Sequence, residues 1–300
     1  MNLEGAVNLT LALDKSNSTH QQVFWLTLLG LLILRIPFAA GMEFFNIQWE
    51  WTDVIFEIGT YLLTTFLIWW EVDHLSDYHI DTLVVVIIIL FKPMQTLILK
   101  YWGFNEHLLT FPSVPSLMIW FIAIVFALAI WRKRSKIPDI NPINLVWLFI
   151  GILAGLATTI VLSFPMSFQI SETELPDGLP IKAVAKDIFV GIPIGLLYQM
   201  GYAAVSEEPL FRGFLWGFLK KLKWHELWIW LFQAALFMFS HIYYINKAPI
   251  SFWIIVPVCS LVLGWLAWRS RTIAASMAAH GMMNATGHAF GYLLAMYRFR

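Results

Sequence analysis

Residues 188–221 read IFVGIPIGLLYQMGYAAVSEEPLFRGFLWGFLKK. An apolar run meets two adjacent carboxylates, a proline and an arginine, resumes its apolar character, and ends on two lysines. Crossing ~30 Å of hydrocarbon takes about 20 predominantly apolar residues, so the charges lie inside sequence suited to lipid. The second half of the chain repeats the apolar pattern at 108–131, 140–171, 227–246, 248–268 and 272–297. The earlier runs are interrupted: 22–42 by Arg35, 52–70 by Asp53 and Glu57, and 82–99 by Lys92. The runs predict an all-α, polytopic membrane protein with eight or nine transmembrane helices.

Composition agrees. Residues of the AVILMFWYC class make up 59% of the 300, and Asp, Glu, Lys and Arg only 13%, about half the usual ~25%. So few ionic side chains cannot cover a soluble fold of this length, which excludes a water-soluble enzyme. Lys and Arg number 19 and so do Asp and Glu, so no basic excess exists to bind nucleic acid. The single cysteine, Cys259, permits no internal disulfide and no cysteine metal cluster; within an apolar run it reads as a small buried core residue. No basic region and cleavage site precede the first apolar run, so no cleaved signal peptide is expected.

Lys and Arg in short loops favour the cytoplasm. If the spans alternate, Arg132 to Lys136, Lys220, Lys221 and Lys223, and Arg269 with Arg271 share one side. The loop 172–187, with Glu172, Glu174, Asp177 and Asp187 against Lys182 and Lys186, falls on the other. That places the N-terminus in the cytoplasm, where the sequons at Asn8 and Asn17 are without meaning, with Lys100, Arg298 and Arg300 as exceptions. Four Gly-x-x-x-Gly pairs, Gly151/Gly155, Gly191/Gly195, Gly213/Gly217 and Gly287/Gly291, all lie beyond residue 150. Such pairs let helix backbones approach closely in lipid. They predict a tightly packed core over 138–300 and an accessory layer of transmembrane helices over 1–137.

Ionisable groups within a span cost about 2.5–3.5 kcal/mol each on insertion scales and mark function by default. Three sites stand out: Ser206-Glu207-Glu208-Pro209-Leu210-Phe211-Arg212, Phe237 to His241, and His280 to Asn284 with His288 a turn further. Glu208 and Arg212, four apart, share a helix face and can pair. Glu207 points about 100° away and is left without a partner by that pairing. Pro209 removes a backbone donor, so a kink is expected beside the glutamates. At 1.5 Å per residue, Glu207 lies roughly 20 Å from Lys220, and His241 roughly 22 Å past Glu226. His280 and Asn284 lie roughly 14 and 20 Å past Arg271. Three helices thus bring polar groups to similar depth, which predicts a shared cavity.

A carboxylate and a neutral imidazole can hold and deprotonate a water. An imidazole and a carboxamide one turn apart can donate to a developing oxyanion. Together they form a minimal amide hydrolase. One carboxylate with two imidazoles also matches catalytic zinc sites, and transporters likewise bury Glu and His in their pathways.

At these residues the sequence resembles the CPBP (CAAX protease and bacteriocin-processing, or Abi) family of intramembrane proteases, which includes the Rce1-type CAAX prenyl endopeptidases. The motif Glu-Glu-x-x-x-Arg falls on Glu207, Glu208 and Arg212. An aromatic followed by three residues and His falls on Phe237 and His241, and His-x-x-x-Asn on His280 and Asn284. The likeness covers about residues 187–296. It implies that Glu207 with His241 activates the attacking water, that His280 and Asn284 stabilise the oxyanion, and that Glu208, Arg212 and Phe237 support them. It leaves a metal-free glutamate mechanism beside one in which Glu207, His241 and His280 hold a divalent metal such as zinc. The expected partners are the lipid bilayer and a peptide or protein substrate, lipid-modified or membrane-associated. The expected location is the cell membrane, with the site open toward the cytoplasm. The alternative is a non-catalytic immunity or scaffold protein on the same fold; a transporter ranks third, because the polar cluster occupies one half only and no paired interrupted helices are evident. His288 is expected to pack rather than to line the cavity.

Overall fold

The computed structural model describes residues 3–45, 51–104, 106–172, 175 and 180–299. Glu174, Asp177 and Arg300, used above for orientation, lie outside the described residues. No strand occurs among the described residues. The helices are α1 (Leu3–Ile33), α2 (Ala39–Phe44), α3 (Trp51–Trp70), α4 (Thr82–Tyr101), α5 (Val114–Trp131), α6 (Pro142–Ser167), α7 (Ile181–Gln199), α8 (Val205–Glu208), α9 (Trp216–Lys221), α10 (Glu226–Phe239), α11 (Tyr244–Lys247), α12 (Val256–Ser270) and α13 (Ile273–Phe299). Local chemistry sets several starts. The Asp81 carboxylate accepts from Val84 N at 3.0 Å. Ser113 and Ser116 form a reciprocal capping box at α5, and Asn141 accepts from Ile143 N at 3.1 Å before Pro142, each satisfying backbone donors that a helix start leaves orphaned.

Seven helical stretches are long and apolar enough to cross a membrane: Ser18–Met42, Trp51–Trp70, Thr82–Tyr101, Val114–Trp131, Pro142–Ser167, Ile181–Lys221 and Ser251–Ser270. The protein is an all-α polytopic membrane protein. Two of the nine expected runs differ. The 227–246 run breaks, because α10 has 14 residues and ends at Phe239. The last run is one 27-residue helix, α13, whose apolar character is diluted by His280, Asn284 and His288. Two of the charges that interrupt the early runs neutralise each other: Lys92 of α4 donates to Glu57 of α3, both buried.

The bundle has two distinct ends. At one, Lys136 pairs with Asp73 at 2.7 Å and Lys221 donates to the Tyr78 hydroxyl at 2.6 Å. There Arg271 also pairs with Glu226 at 2.6 Å, and Ile273 N reaches His79 O at 2.9 Å. The three basic loops singled out above are therefore gathered on one end. At the other end Gln169 and Ser251 exchange hydrogen bonds of 2.9 and 3.1 Å, and Arg298 donates to Ile170 O at 3.1 Å.

Helices α6 and α13 run parallel in close contact. A Cβ on Gly151 would fall 2.2 Å from Ala275 O, and one on Gly155 2.5 Å from Ala279 O. This pair does what the spacing predicts. Gly191 meets nothing within 4 Å, so its spacing is incidental. One buried hydrophobic cluster includes residues of both regions, from Phe24, Leu67 and Tyr78 to Val205, Phe214 and Ile273. Helices α1, α3 and α4 pack directly on residues 200–215.

Candidate active site

Residues 181–221 form one helical stretch widened at two π turns, Met200–Ala204 and Pro209–Leu215. The kink expected at Pro209 takes this form: its own backbone stays helical (φ −59°, ψ −37°), and the missing donor is absorbed by the wider turn. Gly201 allows α4 against the first π turn, since a Cβ there would fall 2.1 Å from Phe91 O. Both glutamates sit between the two turns and are buried.

Glu208 is partnered through one oxygen, while its Oε2 is buried without a hydrogen bond. Its Oε1 accepts from Arg212 Nη1 at 3.1 Å, the pairing the spacing predicts, and lies 2.8 Å from His280 Nδ1. Arg212 also donates to Ser260 Oγ at 2.8 Å and stands over the Phe237 ring, 4.3 Å from its centre. The network meets a buried cation from three helices, although Arg212 Nε is buried without a hydrogen bond. Glu207 differs from the expectation. It is not unpaired: Arg35, within the first span, donates to its Oε1. Arg35 sits in a π turn over Leu34–Phe38 that contains Pro37. Its only trace in the sequence is a cation interrupting an apolar run. Glu207 Oε2 is buried with no hydrogen-bond partner and lies 3.8 Å from His280 Nε2.

His241 lies in the turn just beyond α10 rather than within a helix. Its Nδ1 is 3.0 Å from Phe237 O. A carbonyl can only accept, so Nδ1 carries the proton and Nε2 is left as a lone pair. Phe237 therefore supports the site twice, through its ring under Arg212 and its carbonyl on His241. The Asn284 amide donates to Gln199 Oε1 at 3.3 Å.

Arg35, Glu207, His241, His280 and Asn284 all line one cavity of about 630 Å³. Gln199 and Tyr202 line it too, as does His288, contrary to the packing role expected for it. Cys259 is partly buried, packs against the small cluster of Leu263, Leu266, Ala275, Ala279 and Met283, and also lines the cavity. The metal alternative does not fit these residues. Among the described residues no three His, Cys, Asp or Glu side chains gather as a ligand group. Of the suggested set, Glu207 Oε1 is engaged by a guanidinium, while the contact of His280 Nδ1 with Glu208 leaves its Nε2 open, as in a metal-ligating His.

The cavity reaches toward one end of the bundle. Its lining includes Gln169, Ile170, Lys247 and Ser251, from the end opposite the basic loops, and no residue of the basic loops themselves.

Buried carboxylates and imidazoles, with the exposed carboxamide of Asn284 on the same cavity, define a polar site between apolar helices. Residues 189–286 match the family model of Rce1-like type II CAAX prenyl endopeptidases. Over that third of the chain the protein is similar to the CPBP/Rce1-like family, a family of CAAX-type intramembrane proteases. The match begins in α7, ends in α13 and encloses every motif residue, while Arg35 lies outside it. Comparison with curated proteins and with solved structures found no match.

Proposed function

We propose that the protein is an intramembrane endopeptidase in which Glu207 and His241 activate a water for attack on a peptide carbonyl. The convergence of Glu207, His241, His280 and Asn284 from three elements on one cavity carries this reading. His241 Nε2 accepts a hydrogen bond from the water and orients it. Glu207 Oε2, a carboxylate oxygen without a hydrogen bond, takes its proton as the new C–O bond forms. The oxyanion takes hydrogen bonds from the Asn284 amide and, in its doubly protonated form, from His280 Nε2–H. Collapse breaks the C–N bond, and the proton passes from Glu207 to the leaving amine. Glu208, Arg212 and Phe237 hold His280 and His241 in place.

In this reading residues 138–300 form the protease core in a cell membrane, and 1–137 form a layer that lends it Arg35. The substrate is a peptide or protein reached from the bilayer. One observation favours the second reading, a non-catalytic factor: the guanidinium of Arg35 already sits on Glu207. Comparing membrane-bound peptides from wild-type, Glu207→Gln and His241→Ala cells separates the two. Loss of the same cleavage products in both variants, with normal insertion, is expected; products unchanged in both leave the scaffold reading standing.

A further inference from the structure

We infer that the site receives its substrate from the extracytoplasmic side of the membrane. The inference rests on the hydrolase reading for its substrate, but its geometry is independent of the chemistry. Interactions between loops fix the two ends of the bundle. Lys136 with Asp73, Lys221 with Tyr78 and Arg271 with Glu226 bind the basic loops into one end. Gln169 with Ser251 and Arg298 with Ile170 define the other.

From Glu207 and His280 the cavity continues past Asn284 and His288 to Gln169, Lys247 and Ser251, at that second end. Toward the basic loops the way is closed. Phe211, Phe214, Trp216 and Leu266 are fully buried there, and Arg212 is locked to Glu208 and Ser260. Depth agrees: Glu207 and His241 are roughly 20 and 22 Å from the basic loops, so within ~30 Å of hydrocarbon they lie nearer the far face.

Short loops rich in Lys and Arg stay in the cytoplasm, and the run Arg132 to Lys136 is the densest in the chain. The mouth then faces outward. The substrate this admits is a polypeptide segment on the outer side or in the outer leaflet, with backbone groups met by Gln199 and Asn284. A peptide held at the cytoplasmic leaflet by a lipid on its C-terminus would face the closed end.

The test is thiol accessibility in intact cells carrying the full-length chain. Cys259 is the only native cysteine and lines the cavity, so it is first replaced as Cys259→Ala. Ala248→Cys then marks the mouth and Ser135→Cys the basic end. A membrane-impermeant maleimide is applied to intact and to permeabilised cells, and total thiol is read after solubilisation in detergent to confirm that each variant is made. Labelling of Ala248→Cys in intact cells, with Ser135→Cys labelled only after permeabilisation, is the expected result. The reverse pattern, or labelling of both in intact cells, overturns the inference. The readout needs no enzymatic activity, so failure of the hydrolase reading would appear separately, as unchanged cleavage in the Glu207→Gln comparison.

Discussion

The contact between Arg35 and Glu207 offers the sharpest test of the assembled site. Both side chains are nearly buried, with 10% and 5% of their surface exposed, and they come from segments 172 residues apart. Removing one member of a buried pair leaves an uncompensated charge and costs about 3–5 kcal/mol. For Arg35→Met the lower end is expected, because both side chains keep a little solvent exposure. A loss of about 3 kcal/mol lowers the folded-to-unfolded ratio roughly a hundredfold. Glu207→Gln alone strands the guanidinium and should cost a similar amount. The double variant strands neither charge and should recover most of the loss, giving a coupling energy of about 2 kcal/mol or more. The assay is denaturant unfolding of detergent-solubilised protein followed by tryptophan fluorescence, with all four members of the cycle in one detergent. Additive losses, or an Arg35→Met cost below about 1 kcal/mol, within the range of an exposed ion pair, would refute the buried pairing.

Two further outcomes follow from the packing and from the loop at the basic end. Gly155→Val should force α6 from α13, because a Cβ there meets Ala279 O at 2.5 Å. Overpacking of this kind costs about 1–3 kcal/mol, whereas Gly191→Ala, with nothing within 4 Å, should leave the unfolding midpoint in place. His79, in the loop between α3 and α4, is held down to about 4 by burial, with Arg271 and Lys220 adding to the effect. Its folded value lies below the ordinary 6.5, so the unfolded chain binds the extra proton first. Its contribution is complete above about 6.5 and is lost as pH falls toward 4. Thermal midpoints measured across that window should fall less steeply in His79→Asn, a residue that tolerates the left-handed backbone (φ 55°) at this position; equal slopes would remove His79 as the cause.

Legibility in the sequence followed the range of each interaction. Glu208 with Arg212 was readable because four residues make one helical turn. The parallel seam of α6 on α13 was readable in part, because Gly151 and Gly155 repeat at the same interval. The end of α10 before His241 was not readable, since the apolar run continues through residue 246 without a break. Nor were the π turns, because residues such as Pro209 keep helical backbone angles within them. The direction of the cavity escaped for another reason. Counting residues from the basic loops gives a depth, and a depth is the same whichever way the opening faces.

Arg35 shows how far pairing arguments reach. Once Glu208 and Arg212 neutralise each other, four charges remain well inside the predicted spans: Arg35, Glu57, Lys92 and Glu207. Two are positive and two negative, and an unpaired charge in hydrocarbon is costly enough that pairing all four is the favoured arrangement. The sequence therefore contained the requirement that Glu207 find a cation. It could not choose between Arg35 and Lys92, since no periodicity links residues so far apart. Packing makes the choice. Helices α3 and α4 bring Glu57 to Lys92, and the turn at Pro37 leaves Arg35 beside the site. The N-terminal layer, which carries no family motif, is in this way required by the charge balance of the site it covers.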